Sequence, residues 1–238
     1  MMTEANDENF VPKKALIIGS SKGLGRSLAL FLKTHLDSLE EVTLVARRQD
    51  VLKTVEKEID SNFEVKTVRC DLSQRVDQES LSLLIANEEY DLIIYSAGGG
   101  PHGEFRSKEW KDHNWALQVG LLAPMRLCRD WLKHRDESQL GKFIIVGSRI
   151  AEQAPDPLAA SYAACKHGLV GFISSLQKEL EGNQNKVWLF SPGYMDTEML
   201  PKTASVRHDG SKLMSADTAA QALLRWVKKD GPWHRILN

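Results

Sequence analysis

Short apolar runs alternate along the chain with longer stretches in which apolar residues recur every three or four positions. Apolar runs of about five residues predict buried β-strands, and the longer periodic stretches predict amphipathic helices. Leu24, Leu28 and Leu32, for example, indicate a helix after the first run. The predicted strands cover residues 14–18, 41–46, 64–69, 91–95, 142–146 and 186–190, and residues 234–237 remain for a seventh.

This alternation of strand and helix continues without an interrupting linker. It therefore predicts an α/β fold, a single-domain Rossmann-like doubly wound parallel sheet flanked by helices. We expect the domain to cover residues 13–238, after a flexible segment at residues 1–12. Residues 104–135 are predicted to be mostly helical, with a kink or break at Pro124. Three tryptophans of this stretch are predicted as core or subunit-contact residues rather than ligand stackers: Trp110, Trp115 and Trp131.

Small or chemically distinctive residues follow the ends of the predicted strands. The carboxyl ends of parallel strands meet at one edge of the sheet, and ligands of such sheets bind there. One ligand could therefore touch all of these residues. They are Gly19 to Gly25, Arg47, Asp71, Ala97 to Gly99, Ser148, Pro192 and Gly193.

The loop after the first strand is rich in glycine and has the spacing G-x-x-x-G-x-G over residues 19–25. Strand, glycine-rich turn and helix in this order are typical of a dinucleotide phosphate site, where the backbone approaches the pyrophosphate at a helix N-terminus. The spacing differs from the G-x-G-x-x-G of many dinucleotide folds, and the alternative is a plain glycine turn. The predicted cofactor contacts here are Gly19, Ser21, Lys22, Gly23, Leu24 and Gly25.

Basic residues stand where the second strand ends. An acidic residue at this place would bind the ribose hydroxyls of NAD, but the chain has Arg47 and Arg48. Because a guanidinium suits phosphate oxygens, Arg47 with Lys22 predicts a 2′-phosphate site and hence NADP(H). The alternative is a pair of solvated arginines. After the third strand, Asp71 either hydrogen-bonds an adenine or caps the following turn.

A loop containing Pro155 and Pro157 leads to a helix predicted at residues 161–181, which places Tyr162 and Lys166 one turn apart on one face. A protonated amine beside a phenol favours the phenolate and lowers the pKa of the tyrosine, which suits a general acid or base. The pair alone is a weak indication, because this spacing is also common on solvated helix faces.

The composition changes this picture mainly by exclusion. The net charge is -1, with 31 Lys and Arg against 32 Asp and Glu, so there is no electrostatic reason to expect nucleic acid or an anionic membrane as partner. The three cysteines lie far apart without metal-ligand spacing, so we expect no metal site and a reducing compartment, the cytoplasm. We also expect no signal peptide, because the first residues are polar and acidic, and no membrane span.

Taken together, these residues resemble the short-chain dehydrogenase/reductase family over about residues 13–222. The resemblance depends on several motifs in the family's order, each at its expected strand end or helix. They are the glycine motif at residues 19–25, Asp71-Leu72, Ser96-Ala97-Gly98, Gly147-Ser148, Tyr162 with Lys166, and Pro192-Gly193 with Thr197.

The resemblance implies an oxidoreductase domain that transfers a hydride between NADPH and a small carbonyl or alcohol substrate. It implies that Tyr162 exchanges a proton with the substrate oxygen, that Ser148 hydrogen-bonds this oxygen, and that Lys166 holds the nicotinamide ribose and lowers the tyrosine pKa. The further cofactor contacts it implies are Leu72, Ala97, Gly98, Pro192, Gly193 and Thr197. An NADPH-dependent carbonyl reductase is therefore predicted; the alternative is an NADP(H)-binding regulatory or scaffolding protein with little turnover.

Two features depart from the family pattern. Gly120 stands where the family usually has an asparagine that supports a water held by the active-site lysine, so the proton relay is rerouted, slowed or absent. A water bridging to backbone carbonyls is the alternative, because a glycine leaves room. The tail after Lys228 is short and lacks the family's glycine-rich final strand. We therefore expect a homodimer, through the helices around residues 116–135 and 161–181, rather than a tetramer.

Overall fold

The computed structural model describes residues 10–149, 157–202, 204–210, 212–229 and 231–237. Its strands are β1 (Lys14–Ile18), β2 (Glu41–Ala46), β3 (Glu64–Arg69), β4 (Leu92–Tyr95), β5 (Gly141–Val146), β6 (Asn185–Pro192) and β7 (His234–Leu237). They pair in parallel in the order β3-β2-β1-β4-β5-β6-β7. The predicted doubly wound α/β fold is confirmed, and the last residues do form a seventh strand.

Helices connect the strands and cover both faces of the sheet. They are α1 (Gly23–His35), α2 (Gln49–Glu58), α3 (Arg75–Asn87), α4 (Trp110–Leu117), α5 (Ala123–His134), α6 (Ala160–Glu179) and α7 (Ala216–Val227), with single 3-10 turns at Phe105–Ser107 and Ser205–Arg207. Within the described ranges, none of these helices has both the length and the apolar character that a bilayer crossing requires.

The central strand β1 shows how the sheet separates two cores. Ala15 and Ile17 pack with residues of α1, α2 and α7, whereas Leu16 and Ile18 pack with residues of α3, α5 and α6. Because both faces are covered, β1 has a continuous apolar run instead of an alternating one. This double burial is why the strand could be recognised from the sequence.

Pro124 follows a π-helical turn, Gln118–Leu122, which joins α4 to α5 where a kink or break was predicted. A proline has no backbone N–H, so Pro124 cannot donate to the carbonyl of Gly120 four residues earlier. The wider turn accommodates the missing bond, and the helix continues without a break. It brings the buried Gly120 against α6.

The described part of the chain is packed from Phe10, upstream of the predicted domain boundary at residue 13. Phe10 and Pro12 are buried, and the backbone N–H of Phe10 donates to the carbonyl of Lys228 over 3.1 Å. Residues 1–9 of the predicted flexible segment lie outside the described residues, and so does Pro155 of the predicted loop. Packing against the sheet therefore starts by residue 10.

Candidate active site

A cleft of about 440 Å³ lies at the carboxyl ends of the strands. It crosses the point between β1 and β4 where the strand order reverses, which is the usual ligand position of such sheets. Every predicted site residue except Gly25 lines it. The catalytic candidates are Ser148, Tyr162 and Lys166, and the cofactor candidates are Gly19, Ser21, Lys22, Gly23, Leu24, Arg47, Arg48, Asp71, Leu72, Ala97, Gly98, Pro192, Gly193 and Thr197.

The glycine-rich turn after β1 has a backbone that side chains would obstruct. Gly19 has φ +92°, and a Cβ there would lie 2.7 Å from the amide nitrogen of Ala97. Gly25 lies below the cleft, where a side chain would collide with the carbonyl of Gly19. Since no side chain caps α1 at Lys22, the first N–H groups of the helix remain available to an anion. The turn therefore fits a pyrophosphate.

Three cations line one end of the cleft, beside the glycine-rich turn and the end of β2, each in a different contact. Lys22 forms an ion pair with Glu198, and Arg48 is 3.5 Å from the Ser21 hydroxyl. The guanidinium carbon of Arg47 lies 5.6 Å from the centroid of the Trp115 ring. This end of the cleft therefore concentrates positive charge, which suits a phosphorylated ligand.

Asp71 occupies the turn after β3 and makes the contacts of a turn cap. Its carboxylate accepts hydrogen bonds from the backbone N–H and the hydroxyl of Ser73, over 3.0 and 2.8 Å. The carboxylate also borders the cleft. Of the two alternatives that the sequence left open, the structure records the capping contact.

Ser148, Tyr162 and Lys166 come together because the carboxyl end of β5 and the first turns of α6 border the same part of the cleft. The Ser148 hydroxyl lies close enough to the Tyr162 hydroxyl to lower the pKa of that phenol. The Lys166 Nζ donates to the carbonyl of Val146 over 2.7 Å and lies 5.4 Å from the centroid of the Tyr162 ring. A proton-exchanging phenol, a second hydroxyl and an ammonium therefore share one wall.

The pKa of the Tyr162 phenol differs from the sequence-based expectation. Burial raises it above its ordinary value, and the hydrogen bond from Ser148 offsets only part of that rise. Burial also lowers the pKa of Lys166 to about 8. Lys166 is not among the groups that shift the pKa of Tyr162, and its amine donates to the carbonyl of Val146 instead. The phenol is consequently protonated at neutral pH.

Gly120 leaves less free space than the sequence suggested. A Cβ at this position would lie 3.2 Å from the Cβ and 3.3 Å from the Sγ of Cys165. The thiol of Cys165 also donates to the carbonyl of Ala116 over 3.3 Å. The expected room for a bridging water beside Gly120 is therefore occupied by a side chain of α6.

Some residues that the motifs did not single out also border the cleft. Tyr194, Met199 and Leu200 follow β6, and His102 follows β4. Arg207 holds the start of the segment after β6 by donating to the Asp196 carboxylate over 2.7 Å and to the carbonyls of Thr197, Leu200 and Pro201 over 3.0, 3.1 and 3.2 Å.

Comparison with known proteins agrees with this geometry. A profile of the short chain dehydrogenase family matches residues 13–207. The chain is 24% identical over 204 residues to carbonyl reductase family member 4 of Xenopus laevis, covering 85% of this chain and 82% of that protein. It is 27% identical over 196 residues to 3-oxoacyl-[acyl-carrier-protein] reductase of Escherichia coli, covering 80% of this chain and 77% of that protein.

A solved structure shares the fold. It is a short-chain dehydrogenase from Sphingobium yanoikuyae in complex with NADPH, with a TM-score of 0.82 and 21% identity. The superposition covers 94% of this chain and 87% of that chain.

Proposed function

Because the chain belongs to the short-chain dehydrogenase family, we propose that it is an NADP(H)-dependent oxidoreductase acting on a small carbonyl or alcohol. The observation that carries the proposal is the convergence of Ser148, Tyr162 and Lys166 on the cleft that also holds the glycine-rich turn. The reductase names of the two relatives and the NADPH complex of the Sphingobium structure support the same chemistry. We assign this activity to one domain over residues 13–238.

Tyr162 is the general acid in the direction of reduction. Burial keeps its phenol protonated, so it has a proton to give to the carbonyl oxygen, and it takes that proton back in alcohol oxidation. Ser148 lies beside the same phenol and is therefore placed to hold the substrate oxygen as charge develops there. A bound dinucleotide supplies the hydride in reduction.

Lys166 binds and orients the ribose next to Tyr162. Its ammonium has three N–H donors, and the bond to Val146 uses one of them and fixes its direction. The remaining cofactor contacts divide along the cleft: the glycine-rich turn holds the pyrophosphate, and Pro192, Gly193 and Thr197 hold the nicotinamide end.

NADPH is preferred to NADH because the adenosine end is cationic. Arg47 and Lys22 pair with a 2′-phosphate, and no acid stands directly after β2, where one would bind the ribose hydroxyls. A charged hydrogen bond of this kind contributes roughly 1.5–3 kcal/mol, so Arg47→Asp should shift the NADPH/NADH preference about tenfold or more.

We also propose a homodimer formed by the π-turn region and α6. Leu122 is 45% exposed, and Gly171 on α6 faces open space, so a second copy could approach this surface closely. Light scattering of the purified chain tests this proposal.

The three free cysteines suit a reducing compartment, which supports a cytoplasmic location.

The regulatory alternative is not favoured. It depended on Gly120, whereas the serine, tyrosine and lysine needed for turnover all line one cleft. A protein that only binds the cofactor has no need for this set.

Turnover assays with a matched pair of tyrosine variants test the proposed function. NADPH and NADH oxidation is followed against ketones, aldehydes, quinones and 3-oxoacyl thioesters for wild type, Tyr162→Phe and Tyr90→Phe. Tyr90 is the control, because its hydroxyl bonds Thr43 over 2.9 Å inside the core. We expect Tyr162→Phe to lose at least about 100-fold in kcat with NADPH affinity retained, and Tyr90→Phe to keep its activity.

Full activity of Tyr162→Phe would refute the assigned role. Tight NADPH binding without turnover on any carbonyl would instead support a regulatory protein.

A further inference from the structure

Trp115 lies in the cleft, although its sequence context predicted a core or subunit-contact residue. It is partly buried on α4, and the Cζ3 and Cη2 atoms of its indole would lie 3.4 and 3.5 Å from a Cβ on Gly99. The guanidinium carbon of Arg47 is 5.6 Å from the centroid of the same ring. The two other tryptophans of this region differ: Trp131 is buried in the core, and Trp110 is 68% exposed.

The strand order shows where this contact lies. Arg47 follows β2 and Gly99 follows β4, and β1 runs between those two strands. The pair of indole and guanidinium therefore spans the carboxyl end of β1. The glycine-rich turn leaves the same strand end toward α1, on the opposite face of the sheet from the core against which Trp115 packs. A dinucleotide on that turn would have the Arg47–Trp115 pair on its other side.

Of the three cations at this end of the cleft, Arg47 is the one that contacts an aromatic ring. Lys22 is paired with Glu198, and Arg48 contacts Ser21, but among the described residues Arg47 forms no ion pair with an acid. A guanidinium held against a ring by its face keeps its N–H groups at the edge for a phosphate. The contact also restricts a long side chain before a ligand arrives, which reduces the entropy lost on binding.

We propose that Trp115 is a positioning residue for cofactor selection: its indole holds the Arg47 guanidinium at the adenosine end of the cleft and thereby favours a 2′-phosphorylated dinucleotide. This inference rests on the proposed function. It adds a residue on α4 to a selection that the sequence assigned to the loops after β1 and β2.

The test compares NADPH and NADH affinities of wild type, Trp115→Leu, Trp115→Phe and Trp110→Leu by fluorescence titration. Trp115→Leu is expected to weaken NADPH roughly three- to tenfold, the range of a cation–π contact, and NADH less than about twofold. Trp115→Phe retains an aromatic face and should keep most of the NADPH affinity. Trp110→Leu, on the same helix but outside the cleft lining, should change neither affinity.

A second pair of variants separates positioning from general damage. In an Arg47→Ala background, Trp115→Leu should no longer weaken NADPH selectively, because the group that it positions is absent.

Equal weakening of NADPH and NADH by Trp115→Leu would overturn the inference, and so would unchanged or tighter NADPH binding. Each of these results leaves the proposed function intact if wild type still reduces a carbonyl with NADPH. A wild-type chain that binds neither cofactor would refute the proposed function and this inference together.

Discussion

Two lysines are buried at opposite ends of the parallel strands, one at the amino edge and one at the carboxyl edge, and they differ in what surrounds the ammonium. Lys142 stands at the amino end of β5 and is 2% exposed, and Lys166 stands beside the cleft and is 5% exposed. The Lys142 Nζ donates to the carbonyls of Val227 and Lys229, over 2.9 Å each, and lies 4.1 and 4.9 Å from the ring centroids of Trp188 and Phe10. The Lys166 Nζ donates to Val146 and faces a single ring, that of Tyr162.

The difference teaches how burial of the same group can serve stability or chemistry. Burying an ammonium is costly unless its charge and donors are satisfied. Lys142 meets the carbonyl-rich end of α7 and two aromatic faces, which compensate the charge. Lys166 is compensated less, so its pKa falls to about 8 and donors remain for a ligand.

Arg135 lies at the same amino edge as Lys142 and, like it, has its donors satisfied by hydrogen bonds within the protein. It donates to the carbonyls of Tyr90 and Leu140 and to the side chains of Asn185 and Asp91, over 3.0 to 3.1 Å. These bonds tie together the starts of β4, β5 and β6. The amino edge is therefore organised for stability and the carboxyl edge for binding.

The largest expected effect comes from removing the charge at the carboxyl edge. Lys166→Met should lower kcat/KM about 100- to 10,000-fold, because Tyr162 and the cofactor lose their cationic neighbour. The free energy of unfolding, measured in urea at neutral pH, should stay unchanged or rise, since a poorly compensated charge has been removed. Retained activity would contradict the assigned role.

Lys142→Met should show the opposite pattern. It leaves two carbonyls without their donor, so we expect a loss of about 2–3 kcal/mol in the free energy of unfolding. The kcat of the folded fraction should stay at the wild-type value, which active-site titration can normalise. A drop in kcat without a drop in stability would show that the two edges are not separated as described.

Gly120→Asn should strain the packing at Cys165, the residue that precedes Lys166 on α6. The new side chain would crowd the Cβ and Sγ of Cys165, which should cost about 1–2 kcal/mol of stability. In a Cys165→Gly background the same substitution should cost about 1 kcal/mol less. Equal costs in both backgrounds, measured by urea unfolding, would show that the crowding is relieved elsewhere.

The pH dependence of stability gives the smallest effect. Burial lowers the pKa of Lys166 from 10.5 to about 8, so between these values the unfolded chain binds more protons than the folded one. Stability from this group therefore rises with pH across that window and is independent of pH below it. Relative to Lys166→Met, wild type should gain on the order of 1 kcal/mol between about pH 8 and pH 9.5. A constant difference between the two unfolding curves would contradict the lowered pKa.

Local patterns in the sequence predicted most of the fold. Strands β1, β2 and β3 have the predicted bounds, β4 begins one residue later, and β5 begins one residue earlier. Strands buried on both faces carry this information in a few neighbouring residues. The candidate site was also predictable, because parallel strands bring the residues that follow their carboxyl ends to one side of the sheet.

Features that depend on packing between distant segments were not predictable. The sequence placed Trp115 away from ligands, because its pattern does not show that α4 turns that side chain toward Arg47. It also gave no sign that Cys165 fills the space beside Gly120, or that Arg207 holds the segment over the cleft.

The sequence alone thus determined the fold class and the ligand edge, since short-range periodicity suffices for these, and its resemblance to a family pointed to the candidate reacting side chains. Only the tertiary structure decided the direction of the Tyr162 pKa and the partners of the buried lysines. The pKa of a buried group depends on burial and hydrogen bonds that come from many segments, and these contacts form only when the chain is packed.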